Sequence, residues 1–394
     1  MKNQYNKTIT ACFVGYIVQA IVNNFTPLLF LFFQKCYHIP ISQITLLVTF
    51  NFGIQLLVDL LSVRFVDKIG YRISMIIAHV LAAAGLLLLT VLPEILPVSF
   101  IGILIAVMIY AVGGGLLEVL VSPVVEACPS DNKEKAMSLL HSFYCWGSVG
   151  TIVVSTLFFT IFGMDSWKWL AVLWALVPAV NIYNFATCPI EHLVDEGEGM
   201  GIRALFRKPL FWVAVSLMVC SGASELAMSQ WASAYAEAAL GLPKAVGDLA
   251  GPCMFAVMMG ISRMIFGKYG DRMDLMKFMA GSGILCVICY LLAAVSNHPA
   301  AGLVGCIACG FSVGIMWPGT ISISSQRFPA GGTAMFALLA MAGDLGGSIG
   351  PGIVGRVTQS AGDNIRVGMG AGLVFPVVLL FMVFILSRQK NEVS

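Results

Sequence analysis

From Thr8 onward the chain repeats one pattern: an apolar stretch, then a short break carrying charge, proline or glycine. A helix needs about 20 apolar residues to cross the roughly 30 Å hydrocarbon core of a bilayer, and only helices or closed barrels satisfy their backbone there. Twelve such stretches can be counted, centred near residues 21, 54, 82, 112, 149, 176, 223, 256, 285, 312, 345 and 376. The breaks between them include DKIGYR, PSDNKEK, KYGDRMDLMK and SAGDNIR. The expected fold is an all-α membrane protein with 12 transmembrane helices.

Composition agrees, because 11% of the 394 residues are charged and 59% are apolar, whereas a soluble domain carries roughly 25% charged residues. A net charge of +2 without a basic stripe gives nucleic acid nothing to bind. The 11 cysteines lie almost wholly within apolar stretches, which suits buried thiols better than disulfides. CVIC at 286–289 and CIAC at 306–309 have a zinc-like spacing, yet both fall on apolar helices and not on the tight loops that present four thiolates. No metal, no cofactor and no enzymatic activity are expected, since no nucleophile elbow, phosphate loop or metal-binding histidine pair appears in a suitable setting.

Lysine and arginine set the orientation. With both termini in the cytoplasm, 17 basic residues, Arg263 among them, fall inside, and five fall outside: Lys35, Lys168, Lys244, Arg356 and Arg366. That bias predicts a multi-pass protein of the plasma (inner) membrane with cytoplasmic ends. The one long polar segment, residues 191–209, divides the chain almost in half. It predicts a first six-helix bundle over 1–190, a cytoplasmic linker over 191–208 and a second bundle over 209–394.

The halves echo each other at an offset near 200. Lys68, Gly70 and Arg72 recur as Lys268, Gly270 and Arg272; KAMSLL at 135–140 answers TAMFALL at 333–339; GSVG at 147–150 answers GSIG at 347–350. The same order at nearly one offset indicates a duplicated six-helix unit. Twelve spans, a central loop and basic turns after the second and eighth spans together resemble the major facilitator superfamily. The resemblance implies two pseudo-symmetric bundles that transport by alternating access. It also implies that Asp67, Lys68 and Arg72, with Lys268 and Arg272, act in gating loops. Within that family NNF at 23–25, GGGLLEVLVSP at 113–123 and LLHSFYCWGSVG at 139–150 are similar to the sugar branch of L-fucose:proton symporters. The likeness implies a proton site at Glu118 and sugar-facing positions at Asn23, Asn24, His141 and Tyr144.

The residues can also be weighed directly. A charge at the bilayer centre costs roughly 2.5–3.5 kcal/mol, so each deep acid needs a partner, a wet cavity or a proton. Glu118, Glu225 and Asp344 lie deep; Asp59 lies nearer the cytoplasmic end, and Glu126 reads as an ordinary helix-end residue. Three glycines before Glu118 and Pro123 after it are expected to loosen the fourth span around a cavity. Glu118 is then either a cation-coupling group or an acid hydrogen-bonded between helices. Glu225, a second candidate for cation coupling, is followed by Gln230 and Trp231, although Trp231 turns about 120° away from it around the helix. Asp344, among glycines, suits an ion ligand or a gate pair. Gln19, Asn51 and Gln55 are neutral donors and acceptors at mid-depth that suit a hydroxylated substrate, and Trp231 and Trp317 offer flat faces to a sugar ring. The expected function is monomeric solute:cation symport, sugar with a proton, with sodium as the other candidate ion. A proton-coupled drug or metabolite exporter and a non-transporting receptor or scaffold are the alternatives.

Overall fold

Helix ends fall at the polar breaks. A computed structural model of the protein describes residues 2–39, 41–191, 200–240, 249–296, 298–362 and 364–389. Its first helices are α1 (Lys2–Leu28), α2 (Phe30–Cys36), α3 (Ile41–Ile69), α4 (Tyr71–Ile95), α5 (Ser99–Ala127), α6 (Lys133–Phe162) and α7 (Trp167–Thr187). The later ones are α8 (Ile202–Phe206), α9 (Pro209–Leu240), α10 (Met254–Tyr269), α11 (Leu275–Val295), α12 (Pro299–Val313), α13 (Met316–Arg327), α14 (Gly332–Ser360), α15 (Ile365–Gly372) and α16 (Val374–Gln389). Among the described residues 11 helical stretches are long and apolar enough to span a membrane. The 29-residue α3 supplies the twelfth long helix. Two spans are broken: α12 and α13 form one, α15 and α16 another.

Trp169, Ile161 and Val295 are 72%, 69% and 71% exposed. In water so many large apolar side chains would seek a partner; against lipid tails they are already solvated. Local chemistry sets the turns. Gly70 joins α3 to α4 at φ 86°, a conformation that side chains with a Cβ avoid. The Asp274 carboxylate caps α11 by accepting from the Lys277 amide at 3.0 Å, and Asn364 caps α15 through the Arg366 amide at 3.1 Å.

The contacts divide the chain into two compact units. One takes in Met1–Asp131, Phe143–Gly199 and Gly332–Ala337; the other takes in Asn132–Ser142, Met200–Gly331 and Leu338–Ser394. The stretches 132–142 and 332–337, each the start of a helix whose remainder is assigned elsewhere, contain all of KAMSLL and the first five residues of TAMFALL. Within the first unit α4 lies against α5 and α7, and α5 also meets α3 and α1. Within the second, α12 lies against α9, α10 and α11.

Glycines let helices approach closely. Gly346 and Gly350 of α14 face Val219 and Ala223 of α9, and Gly222 of α9 faces Gly343; a methyl added to Gly346, Gly350 or Gly222 would collide with backbone. Without a hydrophobic drive between helices in lipid, such small-residue seams supply the packing. The Gly346→Val substitution is therefore expected to cost about 1–3 kcal/mol or more by overpacking. Thermal unfolding in detergent checks this: a lowered midpoint is expected, and an unchanged one contradicts the seam.

Candidate functional site

Spacing by four puts Gln19 and Asn23 on one face of α1, and Asn51 and Gln55 on one face of α3. The two faces meet. Asn23 Oδ1 accepts from Asn51 Nδ2 at 3.1 Å and from Gln55 Nε2 at 2.9 Å, while Asn23 Nδ2 donates to the Tyr144 hydroxyl at 3.4 Å. One turn away, Gln19 Nε2 donates to Glu118 Oε2 at 2.8 Å. Five predicted neutral residues and the predicted coupling acid thus converge in the first unit, on α1, α3, α5 and α6. Asn24 points elsewhere, to the Ser148 hydroxyl at 3.1 Å and the Ala20 carbonyl at 2.8 Å.

The cluster is not saturated. Gln55 and Asn51 are 0% and 6% exposed, and among the described residues neither Asn51 Oδ1 nor Gln55 Oε1 has a hydrogen-bond partner. A buried polar atom left so costs about 1–3 kcal/mol. Exchanging nitrogen and oxygen in all three amides reverses the bonds but still strands two polar atoms. A cavity of about 20 Å³ lies beside the cluster, with Asn23, Asn51, Thr26 and Tyr110 in its wall. It has room for about one water, not a sugar. Two further hydroxyl pairs border the site and escaped the sequence reading: Tyr110 donates to Thr26 at 2.7 Å, and Tyr16 and Ser122 share a hydrogen bond of 2.9 Å.

The glycines before Glu118 act differently from the expectation. The helix α5 runs unbroken through them and through Pro123. A methyl on Gly113 would fall 2.5 Å from the Ala78 carbonyl, and one on Gly115 would fall 3.0 Å from Gln55 Cα. They bring α4 and α3 close to α5 instead of loosening it. Glu126 also differs, being 6% exposed and not an open helix-end residue.

In the second unit the central side chain is Arg263. The orientation count treats it as a loop cation, yet it is 3% exposed on α10. Its Nη2 lies 3.5 Å from Glu225 Oε2; Nε donates to the Gly314 carbonyl at 2.8 Å and Nη1 to the His141 carbonyl at 3.0 Å. Pro318 explains the second bond. Lacking an N–H, it frees the carbonyl four residues back, Gly314, at the break between α12 and α13. His141, read as a sugar-facing position, belongs to the second unit by its contacts, whereas Glu118 belongs to the first.

Trp231 donates its indole N–H to the Pro351 carbonyl at 3.2 Å and lies against Gly355, away from Glu225 as its helical angle predicts. Trp317 packs its ring on Gly343, Gln230 is exposed, and Asp344 is half-buried on the glycine-rich α14. Arg72 donates to the Phe185 and Ala186 carbonyls at 2.8 and 3.0 Å, closing the end of α7. Lys68, Lys268 and Arg272 are exposed, and the side chain of Asp67 lies outside the described residues. In the second copy the acid that pairs is Asp271, with Lys135 and Asn132. The paired cysteine motifs face each other across α11 and α12, where Cys286 and Cys309 sulfurs are 3.8 Å apart.

A family model described as Major Facilitator Superfamily matches residues 11–351. No curated protein matches the chain by sequence. Several solved structures share its fold. The E. coli fucose:proton symporter is 18% identical with a TM-score of 0.80, over 97% of this chain and 99% of that one. A proton:xylose symporter is 12% identical with a TM-score of 0.80, over 98% and 96%. The human organic anion transporter TETRAN is 14% identical with a TM-score of 0.76, over 96% and 99%.

The hydrogen-bond geometry separates scaffold from function. Asn23→Leu strands the Asn51 and Gln55 donors and is expected to lower the unfolding midpoint, by about 1–3 kcal/mol per stranded donor. Gln55→Leu removes an orphaned acceptor together with one donor and is expected to be far milder. Equal losses in thermal unfolding would show that both amides serve packing alone.

Proposed function

The chain belongs to the major facilitator superfamily, and we propose that it is a secondary active transporter that carries a small hydroxylated solute, a sugar, by symport with a proton. Its family and fold are those of transporters and not of enzymes. The observation that carries the reading is the first unit's amide cluster beside an acid. Two buried acceptors without donors suit a ligand that brings hydroxyl groups. Gln19 donates to the Glu118 carboxyl one helical turn from Asn23, so a proton on Glu118 acts on the same face of α1 as the amide cluster. Support also comes from two proteins of like fold that are named as proton symporters of fucose and xylose.

In this reading the protein lies in the plasma membrane as a monomer with both ends in the cytoplasm, the orientation favoured by its basic residues. The halves 1–190 and 209–394 rock about a midplane site, joined by residues 191–208. Proton binding at Glu118 favours the form that accepts solute, which requires unequal proton affinity in the two forms. Tyr144 supplements the amides, and Asn24, His141, Gln230, Trp231 and Trp317 are the further solute-facing positions in this reading. Asp344 is held in reserve as a second ion site, and the basic turns at Lys68, Arg72, Lys268 and Arg272 act in gating with Asp67.

Proteoliposomes carrying Glu118→Gln provide the test. Solute counterflow, which needs no net proton movement, is expected to persist, while accumulation driven by a pH gradient is lost. Full pH-driven accumulation by the variant would remove Glu118 from coupling. Binding of lipophilic cations in preference to every monosaccharide would favour an exporter.

A further inference from the structure

Arg263 is a permanent charge in the interior of a membrane helix, with no role in the amide cluster. A guanidinium keeps its proton under all biological conditions, so its cost at membrane depth must be met by acceptors. Three different elements supply them: Glu225 on α9, the Gly314 carbonyl at the α12–α13 break, and the His141 carbonyl on α6. The rigid fork of the side chain therefore fixes the positions of three neighbours at once.

The opening turns of α6, residues 133–142, dock along α10 at this point. Ser138 donates to the Arg263 carbonyl at 2.8 Å, so the same residue is gripped through both its backbone and its side chain. Leu139 presses on Gly267, where an added methyl would lie 3.0 Å from Leu139 Cβ. At the end of α10, Lys135 and Asn132 bind Asp271, and Glu134 accepts from Gln326 of α13 at 2.6 Å. Every one of these contacts lies within the second unit.

The pair with Glu225 is unlike the rest. A settled arginine–carboxylate pair is bidentate at about 2.7–2.9 Å. Here the separation is 3.5 Å and Glu225 Oε2 takes no hydrogen bond among the described residues, whereas both carbonyl bonds are short. The carboxylate steers the guanidinium through one long charge contact, and its loss leaves the Gly314 and His141 carbonyls to compete for the fork.

We propose that Arg263 is a positioning residue through which the Glu225 carboxylate holds the first turns of α6 docked on α10. With the carboxylate in place, the guanidinium keeps its plane and its bond to His141. Once the Glu225 charge is lost, the guanidinium turns toward the Gly314 carbonyl, Nη1 leaves the His141 carbonyl and the α6 turns come free. The inference rests on the chain being a transporter of this family, and not on which solute or ion it carries.

Hydrogen–deuterium exchange on the purified full chain at one fixed pH tests this without any knowledge of the solute. In Glu225→Gln, amides of residues 133–142 are expected to exchange roughly tenfold faster or more, while α4 and α5 keep their wild-type rates. Arg263→Lys, which keeps the charge but loses the fork, is expected to show the same local change, and Glu225→Asp a smaller one. Unchanged exchange at 133–142 in Glu225→Gln would overturn the proposal. So would acceleration throughout the molecule, since the pair would then support the fold as a whole.

Discussion

Inside a bilayer a side-chain amide, a hydroxyl or a charge meets no water, and its partners must come from other helices. That constraint shapes everything distinctive in this protein. Its interior polar residues are gathered into clusters that each draw on several helices. Asn23 is tied to α3 and α6; Arg263 reaches α6, α9 and the α12–α13 break. A third cluster is closed on itself: His79 contacts the Met75 carbonyl and Asn181, and Asn181 donates to the Ala11 carbonyl at 2.9 Å. With both ring nitrogens engaged, His79 joins α4 to α7, and through Asn181 to α1. The amide cluster differs from this closed one by leaving the Asn51 and Gln55 acceptors unanswered among the described residues.

The duplicated halves put the same frame to different uses. Both carry glycines and a proline in corresponding spans, GGGLLEVLVSP against GFSVGIMWPG. In the first copy the helix continues past Pro123 and presents Glu118 to Gln19. In the second the helix breaks at Gly314, and the carbonyl released by Pro318 goes to an arginine. One half thereby gains an acid beside neutral amides, and the other gains a buried cation whose carboxylate lies on a neighbouring helix.

Much of this was legible in the chain. Apolar length and charged breaks suffice to find the spans, because the bilayer imposes a length and a polarity that few substitutions can evade. The amide faces were legible too, since Gln19 with Asn23 and Asn51 with Gln55 keep the four-residue spacing of a helical face. Arg263 was not, for a basic residue five positions before Lys268 reads as part of the same loop unless the helix end is known. Its signal lay elsewhere, in Pro318, which leaves a carbonyl in need of a donor. Glycines before Glu118 misled for a related reason: in water they loosen a helix, but between close-packed helices the missing side chain is itself the fit. Asp271 was not legible either, because the position that answers Asp67 at the 200-residue offset is Gly267.

The central claim is that solute and ion move together through one asymmetric bundle pair. The most direct measurement is proton movement across proteoliposomes when a panel of monosaccharides is added to the wild-type protein without an imposed gradient. Proton uptake alongside at least one sugar, scaling with that sugar's concentration, is the result predicted here. Sugar transport without any proton movement, or proton movement evoked by lipophilic cations and by no sugar, would contradict it.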